Sequence, residues 1–236
     1  MRKATAFLLI AGLSAVAQLA VAAEITGTVT IKGTPPKEKD ITPLKEDENC
    51  GKLTADMPTT HFYLVGPKSE LGDVVVYLKG IGGKSTGAKA KPVVLDQKKC
   101  LYVPQIMAVQ TGQKVLVRNS DPVMHNVHTE PRKDSGNPIK NDPQMAGAAD
   151  LGYTFPKAEM FLKFKCDVHP WMFAWISIFD HPYFALSDKE GAFKISDVPP
   201  GKYTLEAAHR KLGTVSKEIE VKEGEPTKVD FVMEVK

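Results

Sequence analysis

The sequence predicts an all-β protein. Glycine and proline are frequent, with 18 and 17 residues among 236, and both interrupt regular structure. Short apolar runs alternate with turn-forming residues, which is typical of strands joined by tight turns. No long stretch carries apolar residues at the spacing of an amphipathic helix. The length allows one large or two small domains.

The first 23 residues predict a secretory signal peptide. A basic start at Arg2 and Lys3 precedes an apolar run over residues 4–20, and small residues follow at positions 21–23. An uncleaved membrane anchor is the alternative, because the apolar run nearly reaches spanning length. Ser14 and Gln18 interrupt the run and favour cleavage. We therefore expect a periplasmic protein with no stable membrane span.

An N-terminal segment over residues 24–91 follows the leader. Ile25, Val29 and Ile31, mixed with threonine and glycine, predict a strand over residues 24–31 that glycine and proline end. Residues 37–67 are charged and rich in proline, which indicates a long connection. A compact apolar run predicts a second strand over residues 74–78, and residues 80–91 form a loop.

A central unit over residues 92–180 follows. Apolar runs predict strands at residues 93–95, 106–109, 115–117, 153–155, 160–165 and 174–179. Turn chemistry puts residues 111–113 in hairpin position. Residues 130–151 are expected to be irregular, with at most one short helix.

The remaining residues, 181–236, contain a predicted hairpin turn at 188–191 and a turn at 199–201. Strands are predicted at residues 192–195, 203–207, 219–221 and 228–235.

The charge balance gives no reason to expect a nucleic-acid partner. Without the two basic leader residues, 29 Lys and Arg face 28 Asp and Glu, a net charge near +1. A lysine-rich stretch over residues 79–99 is interpreted as a solvated loop face, with a partner-docking patch as the alternative. The sequence contains no Ser/His/Asp grouping, phosphate-binding loop or paired-carboxylate motif, and we expect no enzyme.

Three cysteines in an exported protein suggest one disulfide and one thiol with another role. If Cys166 binds a metal, Cys50 and Cys100 form the pair, which suits an oxidising compartment. The alternative is that these two are unrelated free thiols.

A thiol, an imidazole and a thioether lie within seven residues, at Cys166, His169 and Met172. Soft sulfur favours Cu(I), imidazole suits Cu(II), and two His with one Cys and a weak axial Met form the blue-copper arrangement. Zinc with the same ligands is an alternative, but a thioether is a poor ligand for it. A second His must come from elsewhere in the chain.

His125 is the candidate for that second imidazole. It lies 41 residues before Cys166 and follows a predicted strand and turn. Ligands from two separate loops hold an ion from two sides, so the protein sets the geometry. We therefore expect one copper ion per chain.

These motifs resemble those of the cupredoxins, the type 1 blue copper proteins, and most closely those of the amicyanin type. The similarity rests on His125-Asn126 and the Cys166–Met172 loop, extends upstream through Gly112, and spans about 90 residues. It implies a Greek-key β-sandwich with His125, Cys166 and His169 as equatorial ligands and Met172 as the axial one. It also implies that the backbone N–H of Asn126 reaches the cysteine sulfur and ties the two loops together.

Other histidines receive structural interpretations. His128 is expected to face away from His125, although it could join a second weak metal site. His61, His181 and His209 have no partners at ligand spacing.

Aromatic residues flank the ligand loop. Trp171 and Phe173 belong either to the core or to an apolar rim around an exposed edge of His169, where a redox partner would dock.

Residues 188–205 resemble the carboxypeptidase regulatory-like, or transthyretin-like (prealbumin-like), β-sandwich. That family opens with strands similar to residues 25–29 and 74–78. The last 55 residues alone are marginal for a core. We therefore expect residues 24–91 to pair with residues 181–236, with the cupredoxin unit inserted between them. The alternative is that the N-terminal strands extend the cupredoxin sheet.

The leading hypothesis is a periplasmic carrier of single electrons. A c-type cytochrome or a periplasmic dehydrogenase is the expected class of partner. The alternative is a copper delivery or storage protein, or a cell-envelope binding module, without an electron-transfer role. An oxidase or nitrite reductase would need further copper with its own histidines, and the remaining histidines are scattered.

Overall fold

The computed structural model describes residues 23–235. Within them, 17 strands accompany one short helix, α1 (Thr42–Glu46), and two 3₁₀ turns at Cys50–Leu53 and Gly87–Lys89. The predicted all-β class is confirmed. In this range no helix has the length and apolar character needed to cross a membrane. The predicted leader lies outside the described residues, except that Ala23 begins the first strand and pairs with Val198.

The first eleven strands, in chain order, are β1 (Ala23–Lys32), β2 (Val75–Lys79), β3 (Val93–Lys98), β4 (Leu101–Val103), β5 (Ile106–Gln110), β6 (Val115–Asn119), β7 (His125–Glu130), β8 (Asn141–Gln144), β9 (Leu151–Tyr153), β10 (Glu159–Lys165) and β11 (Phe173–Phe179). The last six are β12 (Phe184–Leu186), β13 (Ala192–Val198), β14 (Gly201–His209), β15 (Gly213–Val221), β16 (Thr227–Lys228) and β17 (Phe231–Glu234).

Two sheets from the central part of the chain form the first sandwich. One has the strand order β4-β3-β6-β9 and the other β5-β11-β10-β7-β8. Alternate residues of facing strands point inward, as strand geometry requires, so that Val117, Leu162 and Phe164 meet in one buried core. Cys166 and Met172 belong to the same core.

Strands from both ends of the chain form the second sandwich. β1 pairs with β13, β16 and β17, and the facing sheet has the order β12-β2-β14-β15. Ile25, Leu78 and Phe231 are fully buried between these sheets. The N-terminal strand therefore joins strands that lie at least 164 residues further along the chain, since Thr28 pairs with Ala192.

The two sandwiches pack against each other through the outer faces of β2 and β11. Val75, Trp175 and Phe179 are buried in this interface, and the rings of Tyr77 and Phe179 lie 4.9 Å apart. Both faces of β2 and β11 are therefore covered, which explains their continuous apolar sequences.

Several local expectations are wrong. The turns at residues 111–113 and 188–191 are not hairpins, because β5 and β6, and likewise β12 and β13, lie in different sheets. Residues 130–151 contain strand β8 and no helix. Pro143 lies inside β8, and the edge position of that strand accommodates it.

The predicted connection over residues 37–67 is not an open loop. It contains α1 and the 3₁₀ turn, and Ile41, Leu44 and Cys50 are buried in the core of the first sandwich. Residues 41–53 of the N-terminal segment therefore pack on the first sandwich, whereas β1 and β2 pair with C-terminal strands. We call residues 41–53 the cover segment.

Candidate metal centre

The candidate ligands meet where two neighbouring strands end. β7 and β10 are antiparallel, with His128 opposite Lys165. Because β7 begins at His125 and β10 ends at Lys165, the ladder brings His125 and Cys166 to the same end of the sheet. His169 lies in the tight turn that follows. In this turn the N–H of Met172 donates a hydrogen bond to the His169 carbonyl at 2.8 Å.

Three donor atoms converge in the interior. Nδ1 of His125 lies 2.9 Å from Nδ1 of His169, and that nitrogen lies 3.7 Å from Sγ of Cys166. One donor atom of each residue lies within 4.8 Å of the others. Exposed fractions are 0% for His125, 1% for Cys166 and 7% for His169. A closed, water-poor cluster of two imidazoles and one thiol results.

Met172 is also fully buried at this end of the core. The N–H of Cys166 donates to the Met172 carbonyl at 3.1 Å, which closes the ligand loop on itself. The axial role of Met172 stays a prediction.

Asp121 orients His125. Nε2 of His125 donates to the Asp121 carboxylate at 3.0 Å, which leaves Nδ1 free to act as a ligand. Burial would lower the pKa of His125, but hydrogen bonds with Asp121 and Cys166 raise the pKa above its ordinary value. Asp121 also accepts the N–H groups of Lys99 and Cys100 at 2.6 and 2.7 Å, so its carboxylate is fixed from three sides.

Asn126 connects the two ligand loops. Its backbone N–H donates to Sγ of Cys166 at 3.4 Å, and its side-chain oxygen accepts the N–H of Asp167 at 2.6 Å. Burial alone would raise the pKa of Cys166. Hydrogen bonds from His125 and from backbone N–H groups, including that of Asn126, outweigh this effect and hold the pKa below the ordinary thiol value. The thiolate is the form that binds metals.

The cover segment lies over His169. One ring nitrogen of His169 lies within 4.8 Å of both Sγ of Cys50 and a carboxylate oxygen of Asp47. Buried Leu44 packs into the same core. Only 7% of the residue is exposed, so His169 is largely covered where an exposed edge was expected.

The two aromatic residues that flank the ligand loop differ in their surroundings. Trp171 packs on the first core, and its ring lies 5.2 Å from that of His169. Phe173 instead stacks on Phe62, with the ring centroids 5.9 Å apart, at the contact between the sandwiches. The two residues therefore do not form a common rim around His169.

A disulfide fastens the cover segment. Cys50 and Cys100 are bonded, with their Cα atoms 5.7 Å apart, in agreement with the predicted pair. The Cys100 carbonyl accepts a hydrogen bond from Nε1 of Trp171 at 3.0 Å. Closing a loop of 50 residues stabilises the fold by about 4 kcal/mol in the chain-entropy model.

The other histidines lie away from the cluster or beside it. Nδ1 of His128 forms a hydrogen bond with the Asp167 carboxylate at 2.8 Å, and the side chain points out of the first core, in agreement with its structural interpretation. His209 stacks on Tyr63, and His181 packs near Phe179.

Sequence reasoning missed Asp121 and Asp47. The spacing of four residues between Asp121 and His125 is the one signal that could have found the first. Asp47 offered no signal, because only the folded cover segment brings it to His169.

The donor set fits copper. A thiolate, two imidazoles and a buried thioether combine the soft and borderline ligands that a copper ion needs in both oxidation states. The Asp121 carboxylate that orients His125 and the hydrogen bond to the Cys166 sulfur are usual supports of such ligands.

Comparison with known proteins gives one family match. Residues 172–234 match the model of the carboxypeptidase regulatory-like domain. The match begins inside the first sandwich, since β11 pairs with β5 and β10, and covers all the strands from β12 to β17. No curated protein matches the chain.

Solved structures give weaker similarities. The copper-containing nitrite reductase NirK from Thermus scotoductus SA-01 is 18% identical at a TM-score of 0.34, over 38% of this chain and 22% of the reductase. The chain thus spans about a fifth of that enzyme's length. A Cu(I) amicyanin variant and a reduced amicyanin variant are 21% and 22% identical, both at a TM-score of 0.33, over 44% of this chain and 97% of each amicyanin. Function is therefore inferred below from contacts within this chain.

Proposed function

We propose that this protein binds one copper ion through His125, Cys166 and His169, with Met172 as a weak axial ligand, and carries single electrons between periplasmic redox proteins. The observation that carries the proposal is the convergence of two Nδ1 atoms and one Sγ atom in a buried cluster. Bound copper would supply the one-electron chemistry. The protein acts as a carrier and not as an enzyme.

The surrounding residues support a site of fixed geometry. Asp121 holds the His125 ring, and Asn126 holds the cysteine sulfur and the loop after it. A geometry that changes little between the two oxidation states lowers the cost of electron transfer. The buried surroundings and the N–H bond to the sulfur set the reduction potential.

The chain organisation is part of the proposal. Residues 92–180 form a cupredoxin unit inserted into a second sandwich made by residues 24–91 and 181–236, with the cover segment packed on the inserted unit. The pairing of β1 with β13, β16 and β17 supports it. Export to the periplasm agrees with the disulfide. A c-type cytochrome or a periplasmic dehydrogenase remains the proposed class of partner.

Copper binding is tested by metal analysis of the full chain and its variants. Wild type should bind one copper per chain, and Cys166→Ser and His125→Asn should lose it. The matched control is His61→Asn, because His61 is exposed and has a φ of 49°, which asparagine tolerates. Equal copper content in all four proteins would contradict the site.

Copper storage or delivery is the second candidate. Burial of His169 beneath the cover segment favours it, because only 7% of the residue is left to contact a redox partner. Voltammetry of the copper-loaded protein separates the two. A reversible one-electron wave supports the carrier, whereas bound copper without such a wave supports storage or delivery.

A further inference from the structure

All three sulfur atoms of the cysteines lie in the same buried core. Cys50 and Cys100 are 0% exposed and Cys166 is 1% exposed. The disulfide is therefore buried next to the candidate metal centre and does not lie on the surface. In the disulfide each sulfur is neutral and already bonded to the other, so neither serves as a thiolate ligand.

Potential ligands surround each half of the disulfide. Cys50 lies within 4.8 Å of donor atoms of Asp47 and His169. Cys100 lies at the same range from Asp121 and His125. The carboxylates of Asp47 and Asp121 add negative charge beside the two sulfurs, which favours a cation there.

Each cysteine is also held without the covalent bond. The Cys50 N–H donates to Asp47 at 2.8 Å, and the Cys100 N–H donates to Asp121 at 2.7 Å. The Cys100 carbonyl accepts from Trp171. Ile41 and Leu44 of the cover segment are buried in the same core as Cys100, so after reduction of the disulfide this packing and the hydrogen bonds to Cys100 keep the two thiols close together.

We propose that the dithiol form of this chain holds a second soft metal ion, Cu(I), between the thiolates of Cys50 and Cys100. This site is additional to the one proposed above, although the stoichiometry expected for it rests on that proposed function. Thiolates are soft ligands that favour Cu(I) over harder cations. The disulfide would thus set the copper capacity of the chain: one ion when it is closed, two when it is open.

The reduction step balances with a phosphine as reductant. The phosphine takes the oxygen of one water and becomes its oxide, the S–S bond receives two electrons, and the two protons of that water protonate the two thiolates. Each thiol releases its proton to the buffer when it binds Cu(I).

The test is an anaerobic titration of the full chain with Cu(I) against a coloured Cu(I) chelator, before and after phosphine treatment. The disulfide form should take one ion and the reduced form two. An equal number of ions in the two forms would overturn the second site. The control is the double variant Cys50→Ser with Cys100→Ser, whose capacity should not change with phosphine. A gain of one ion in this variant would also overturn the assignment.

The Cys166→Ser variant keeps the two proposals distinguishable and remains decisive if the double variant does not fold. It should take no ion in the disulfide form and one after reduction. If wild type takes no ion in the disulfide form, the proposed function fails, while a gain of one ion on reduction still supports the second site. No gain on reduction in either protein would refute it.

Discussion

Replacing Asp121 by asparagine should weaken both the metal centre and the fold. The carboxylate is buried and accepts three hydrogen bonds, from the N–H groups of Lys99 and Cys100 and from His125. An amide has one oxygen, so in either orientation a buried donor faces an NH₂ group. A buried donor without a partner costs about 1–3 kcal/mol. Loss of the group that orients a metal-binding His lowers metal affinity about 10- to 100-fold.

Two measurements on Asp121→Asn test this. Urea unfolding of the metal-free protein gives the stability change, and competition with a copper chelator gives the affinity. Asp142→Asn is the matched control, because Asp142 accepts from the Tyr153 hydroxyl at 2.9 Å. A loss of stability with unchanged copper affinity would refute the orienting role. Unchanged values in both measurements would refute the hydrogen-bond network itself.

Three further predictions follow from buried groups. Burial lowers the pKa of His209 to about 4; the unfolded chain takes up this proton near pH 6.5, so stability falls between pH 6.5 and 4, by about 3 kcal/mol. Urea unfolding at pH 7 and pH 4 should show a loss that is about 3 kcal/mol larger in wild type than in His209→Gln. Burial also lowers the pKa of His181, which contributes to the loss in both proteins. Equal losses in the two proteins would contradict the prediction. Leu44→Ala removes a fully buried side chain of the cover segment and should lower the free energy of unfolding by about 3 kcal/mol. It should also speed copper release to a chelator. An unchanged release rate would show that the segment does not limit access to the metal. Asn126→Ala leaves the N–H of Asp167 without its acceptor and should lower the free energy of unfolding in urea by about 1–3 kcal/mol. An unchanged value would mean that water takes the place of the Asn126 oxygen as acceptor.

The candidate ligands could be predicted because they follow the ends of strands with strong local signals. Cys166 and His169 are three residues apart in one turn, and His125 begins the strand that neighbours β10. Local spacing and strand order therefore suffice to bring them together. The disulfide was predicted on the condition that Cys166 binds a metal, which leaves Cys50 and Cys100 as the pair, and the bond between these two is present.

The cover segment could not be predicted in the same way. Its buried residues, Ile41, Leu44 and Cys50, are sparse within a charged stretch rich in proline, and one helix of five residues gives little periodic signal. Its position depends on tertiary packing and on a bond to a residue 50 positions later. The burial of His169, and hence the question of how electrons would reach it, follows from this segment.

Turn residues led to wrong hairpin predictions at two places where the chain passes from one sheet to another. Residues 111–113 and 188–191 do form turns, with Gln113 donating to Gln110 and Gly191 donating to Asp188. A turn of this kind does not determine whether the next strand stays in the same sheet, because that choice depends on which face of the strand must be buried. In a sandwich, the chain can cross to the facing sheet instead.

The visible absorption and EPR spectra of the copper-loaded full chain test the central claim most directly. A Cu(II) ion bound by the Cys166 thiolate should give an intense visible thiolate-to-copper absorption band, and Cys166→Ser should abolish it while His61→Asn keeps it. A colourless Cu(II) form of the wild-type protein, or a band that survives in Cys166→Ser, would contradict the assignment of this cluster as a blue-copper site.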